Sequence, residues 1–161
     1  MAHMPMAAEW FRFIFTAYSI SSHMQRNPAL ETLVGTWRTT GQLVADPSRQ
    51  LEGTDSYEWY EGSSLLLHRI AVTMGTEPVI GLEIISYDEE LRHFSMHHFD
   101  AAGRLQVSAG SFHDNAWTFT SASERGIFTF SSNAQVLSGT WEKLSDNNKW
   151  EPWLAVRLEK Q

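Results

Sequence analysis

The chain has 161 residues, no cysteine and a formal net charge of −7. That length suits one domain with a sizeable core, and the missing thiols remove disulfides, thiolate metal sites and cysteine nucleophiles together. The acidic balance, with no basic stripe, excludes the usual electrostatic footprint of a nucleic-acid binder and disfavours anionic membrane surfaces.

At the N-terminus, Trp10, Phe11, Ile14, Ala17 and Tyr18 recur at helical spacing. A helix is therefore expected there, within an N-terminal leader or extension spanning residues 1–27. Ser22-His23-Met24 has the look of a cloning junction. The apolar run is too short for a membrane span, which needs ~18 residues or more. It lacks a basic start and a small-residue cleavage site, so it is a poor signal peptide. The expected location is cytoplasmic, with no membrane span.

From residue 28 to 161 the pattern changes to short β-rich runs separated by turn chemistry. Strands are expected at 34–44, 53–60, 64–74, 78–87, 91–99, 104–113, 116–122, 125–131, 136–144 and 149–159. Gly, Asn, Asp and Pro mark the connections, as in Glu61-Gly62-Ser63 and Asp114-Asn115. Connections this tight force antiparallel neighbours. The expected fold is all-β: a closed antiparallel up-and-down barrel of about ten strands, with an N-terminal helix.

Hairpin parity sorts the strands' faces, because paired residues share a side. An even turn at Glu61-Gly62 puts Asp55, Tyr57 and Trp59 with Leu66, His68 and Ile70, opposite the charged Glu58 and Arg69. An even loop after Asp88 puts Ile80, Leu82 and Ile84 with His93, Ser95 and His97. Glu83, Arg92 and Asp100 mark the other face as outer, and His98 goes with them. An even loop at Asp100–Gly103 then carries the inner face to Gln106 and Ser108. Asp114-Asn115 pairs Phe112 with Trp117 and Gly110 with Phe119.

The interior so read mixes imidazole, hydroxyl and amide groups with aromatic walls. Buried polar groups cost about 1–3 kcal/mol each when unsatisfied, so their convergence on one lumen points to water or a ligand. The ligand-binding residues expected are Tyr57, Trp59, His68, Ser95, His97, Gln106, Trp117 and Phe119. Trp141, Trp150 and Trp153 read as core or rim packing. No metal site is expected: His93 and His97 are about 13 Å apart at strand rise, and no carboxylate is identified beside His68. Catalytic residues are not expected either, since there is no nucleophile elbow, no phosphate cradle and no partner acid.

Gly35-Thr36-Trp37 on the first strand and Arg157 on the last resemble the lipocalin-like (calycin) signature. More widely, Leu33–Trp37, Tyr57-Glu58-Trp59, Leu66–Arg69, Ser86–Asp88, His97–Asp100 with Gly103, Trp117–Phe119 and Gly139–Glu142 resemble an uncharacterised bacterial family of lipocalin-like domains. The resemblance implies a ten-strand barrel with a central cavity. It implies that Gly35, Trp37 and Arg157 close one end, the Arg lying over the Trp, and it puts His68 and His97 on motif positions. The nitrobindins are similar in barrel and in the Gly-Thr-Trp start, and they bind haem through a histidine on the final strand. Here that strand, Trp150–Glu159, has none.

The expected function is non-enzymatic binding of a small, partly polar hydrophobic or aromatic ligand, with no resident cofactor. A haem-binding or redox-linked barrel, with His68 or His97 as axial ligand, is the first alternative. An interaction domain that forms a homodimer through outer Leu65, Leu67, Ile85 and Phe94 is the second.

Overall fold

Ten strands follow one another in the computed structural model, which describes residues 25–161. They are β1 (Gly35–Leu43), β2 (Gln50–Trp59), β3 (Leu66–Met74), β4 (Glu77–Asp88), β5 (His93–Asp100), β6 (Leu105–His113), β7 (Ala116–Thr120), β8 (Glu124–Phe130), β9 (Val136–Leu144) and β10 (Trp150–Lys160). Each pairs antiparallel with the next, and β10 returns to β1, giving a closed barrel with no free edge. The helix expected from Trp10 onward lies outside the described residues. A short helix that the periodicity did not reveal, α1 (Pro28–Glu31), precedes β1.

α1 forms because Asn27 caps it, its Oδ1 accepting from the Ala29 amide at 3.0 Å, and because Pro28 stands at a position that needs no donor. Leu30 and Leu33 from this segment are fully buried in one end of the barrel. There they meet Trp37, whose indole N–H donates to the Leu33 carbonyl at 2.7 Å. Trp117 ties the same segment from the opposite wall, its Nε1 donating to Thr32 Oγ1 at 3.3 Å. Phe94, Phe112 and Phe130 complete this aromatic floor.

Trp37 is fully buried at this end of the barrel, but Arg157 does not lie over it. The inward positions of β10 are even-numbered, with Leu154, Val156 and Leu158 buried. Arg157 is exposed and pairs with Glu159 at 2.8 Å. The cation over the Trp37 ring is Lys160, with Nζ 5.0 Å from its centroid.

Register confirms two hairpins and overturns part of a third. Tyr57 pairs with His68, and Phe112 with Trp117, on the inner face. Leu82 pairs with Phe99 and Ile84 with His97 as read from the sequence. Their face is inverted, however. Glu83 sits directly opposite the inward His68, so Glu83, Ile85, Phe94, Met96 and His98 turn inward, and Ser95 and His97 turn outward. The next loop has an odd count, since Phe99 pairs with Leu105. Asp100 holds this loop by accepting from the Ala102 and Arg104 amides at 2.9 Å. That odd loop restores the expected inward facing of Gln106 and Ser108. Ile85 and Phe94 are therefore core residues and leave the proposed outer patch; they are 0% and 4% exposed.

Replacing Trp37 by Ala should cost about 3–5 kcal/mol, the range for emptying a large aromatic site. Arg157→Ala should stay within about 0.5 kcal/mol, as for an ordinary surface change. Urea unfolding followed by circular dichroism measures both.

Candidate functional site

Midway along the lumen, three adjacent strands bring three ionisable groups together. His68 on β3 has Glu83 directly opposite on β4, and Asp55 lies one diagonal step away on β2, two residues from the paired Tyr57. His68 Nε2 is 2.7 Å from Asp55 Oδ1, and Nδ1 is 3.1 Å from Glu83 Oε2. Thr39 Oγ1 donates to the other Asp55 oxygen. The Tyr57 ring stacks on the imidazole, with centroids 4.0 Å apart and planes 10° from parallel. His68 and Asp55 are both buried.

This geometry fixes the charge of the ring. An ionised carboxylate only accepts, so an imidazole between two of them must donate from both nitrogens and is an imidazolium. Burial opposes that charge, but the hydrogen bonds to Asp55 and Glu83 and the attraction of both carboxylates outweigh it, raising the His68 pKa to about 9. Burial, with the negative Asp55 and Glu83, pushes the Tyr57 phenol well above its usual value of 10.0 and keeps it neutral.

Two adjoining cavities meet at this cluster. One, of about 210 Å³, is walled by aliphatic side chains of β2, β3, β9 and β10, including Leu51, Val72, Leu154 and Val156. The other, of about 310 Å³, is more polar and carries Glu83, His98, Gln106, Ser108, Ser121 and Glu124. Tyr57, His68, Ile70, Val79, Phe119 and Trp141 line both. Inward glycines make part of this room. A Cβ on Gly81 would lie 2.5 Å from His98 Cε1, and one on Gly126 would lie 2.8 Å from Trp141 Cε3. The larger cavity runs from Leu33, beside α1, to the opposite end, where β10 shifts register between Pro152 and Leu154 and Trp153 stands at the rim.

Of the residues singled out from the sequence, Tyr57, His68, Gln106 and Phe119 line the lumen. Trp117 belongs to the floor, fully buried and stacked on Phe119 at 5.7 Å. Trp59 is drawn to the same end, donating to Glu31 Oε1 at 2.9 Å beneath Arg26. Ser95 and His97 are on the outer face. Among the polar residues that sequence reasoning left out of the site are Asp55, Glu83 and His98. Asp55 was already on the inner face by the Glu61-Gly62 parity, and parity carried across the two-residue turn at Gly75-Thr76 would have placed Glu83 inside as well. The absence of a partner acid for His68 is likewise overturned, because it has two.

Residues 23–151 match the profile of a family described as "Protein of unknown function (DUF1579)". No curated protein matches the chain. Among solved structures, a redesigned beta barrel is similar at 14% identity with a TM-score of 0.46, covering 83% of this chain and 95% of its own.

The proton on His68 is held more tightly in the folded chain than in the unfolded one. Its contribution to stability is therefore complete below the unfolded value near 6.5 and is lost as pH rises through about 9. The urea midpoint should fall between these pH values by an amount worth on the order of 3 kcal/mol or less. An NMR titration of the His68 ring should show its midpoint dropping in Glu83→Gln.

Proposed function

The chain belongs to the DUF1579 family, and on that premise we propose that it is a non-enzymatic, lipocalin-like binding barrel for a small, partly polar, hydrophobic or aromatic molecule. The observation that carries this reading is the pair of adjoining cavities around a buried, charged cluster. A core built only for stability has no use for an imidazolium and two carboxylates at its centre, since replacing such a cluster by apolar residues is often neutral or stabilising. Apolar walls with a few placed polar groups are the usual form of a small-molecule site. Tyr57, Phe119 and Trp141, which line both cavities, stand where the ligand's body joins its polar end, and Glu83, Gln106 and Ser108 orient that end.

The donor set does not fit haem iron. Both ring nitrogens of His68 face carboxylates, leaving no lone pair for an axial bond, and His97 points away from the lumen, so neither histidine expected as an axial ligand serves. The other histidine that lines the larger cavity, His98, stands opposite the negative Glu83. A second reading is a homodimer through the outer face of β4–β6. It is favoured by Ile80, Leu105 and Val107, which are more than half exposed at 57%, 54% and 51%. Light scattering should then give twice the chain mass, and a monomer at high concentration dismisses it.

Ligand entry should quench tryptophan emission, because Trp141 and Trp153 line the lumen. Trp141→Ala should weaken binding by about tenfold, or 1.4 kcal/mol, whereas exposed Arg157→Ala should not. A broad screen that changes neither fluorescence nor melting temperature overturns the binding reading.

A further inference from the structure

Charge balance inside the lumen selects among ligands. Among the described residues, no Lys or Arg lines either cavity. Lys143 reaches the rim, where it lies 3.6 Å from Glu124 and stacks on Trp153 with Nζ 3.8 Å from the ring centroid. That carboxylate is thereby compensated. Deeper in, Asp55 and Glu83 share the one imidazolium of His68, so two negative groups face one positive group. Asp55 is the better satisfied, since Thr39 occupies its second oxygen. Glu83 has His68 as its side-chain hydrogen-bond partner and faces the larger cavity. The surplus negative charge is therefore at Glu83.

The walls around it suit the same sign. Tyr57, Phe119 and Trp141 present aromatic rings to the lumen, and a ring face attracts a cation through its quadrupole. His68 itself is engaged at both nitrogens, so it has no donor left for an incoming carboxylate. His98 stands opposite Glu83 on β5 and, with Gln106 and Ser108, offers N–H and O–H donors, but no Lys or Arg is among them. An anionic head group would therefore meet Glu83 with no fixed cation to offset the repulsion, in surroundings where water screens it poorly.

We propose that the lumen takes an organic cation, a small amine with an aryl or alkyl body, its ammonium group directed to Glu83 and the aromatic faces around it. This rests on the binding-barrel reading and adds the sign of the ligand's charge. Gln106 and Ser108, on β6 and separated from Glu83 by β5, are side-chain acceptors for the remaining ammonium hydrogens. The aliphatic cavity between β2 and β10 receives the ligand's body.

The experiment is calorimetry at neutral pH with matched amine, alcohol and carboxylate triplets on phenylpropyl and octyl bodies. The amine should bind tightest and the carboxylate weakest, the two differing by at least about tenfold. Glu83→Gln should abolish the amine's advantage, bringing it to the level of the alcohol measured in the same variant. Should Glu83→Gln lose its near-ultraviolet circular dichroism, Ser108→Lys takes its place, because a cation in the wall should reverse the order in favour of the carboxylate. Carboxylates or alcohols binding as tightly as the amines overturn the inference and leave the binding barrel standing. If no triplet produces heat, the inference also fails, and the broad screen described above decides the binding reading separately.

Discussion

Closure is the constraint from which the rest follows. Because β1 pairs with both β2 and β10, the barrel has no edge at which a register error could be absorbed. Every inward position is tied to its neighbours around the whole circumference. His68 faces in because Tyr57 does, and Glu83 faces in because it stands opposite His68. The burial of a carboxylate at that position is thus a consequence of pairing, and the chemistry around it had to accommodate the charge.

The accommodation is the imidazolium. Taking one carboxylate into a low-dielectric lumen unpaired costs several kcal/mol, and two close together cost more. A protonated ring placed between them answers both with directional hydrogen bonds, and Thr39 satisfies the oxygen that remains on Asp55. Tyr57 stacked on the ring fixes its plane and keeps one side dry. The cluster stays at the centre because apolar residues occupy the layers on either side. The aromatic floor around Trp37 and Trp117 lies below it, and Leu51, Val72 and Leu154 stand near the rim.

The barrel itself was legible, because ten strand-length runs are separated by turn chemistry and each signal is local. Inner and outer faces were legible wherever a hairpin turn was unambiguous, as at Glu61-Gly62 and Asp114-Asn115. The failure at β4 and β5 has a specific cause. Charge was taken as the mark of an outer face, and Glu83 is a charge whose partner, His68, stands opposite it across the Gly75-Thr76 turn, a hairpin whose parity was not followed. The odd loop after Asp100 was hidden for a similar reason, since its extra residue is held by side-chain acceptance from Asp100 and not by a familiar two-residue turn. The two errors cancelled at β6, which is why Gln106 and Ser108 were found while Ser95 and His97 were misplaced. Lys160 over Trp37 escaped notice because a ring can be covered by whichever cation the register brings, and the family pattern supplied an arginine.

The α1 stopper has a kinetic meaning. Leu30 and Leu33 fill one end, and the indole N–H groups of Trp37 and Trp117 fasten the segment from two sides. Among the described residues that end is thus blind. For the ligand proposed above, entry and departure would then share the mouth at the other end, where the β10 register shift beside Trp153 interrupts the strand pairing. Affinity and release would be set in different places: the first in the charged layer at mid-depth, the second at the irregularity of the last strand.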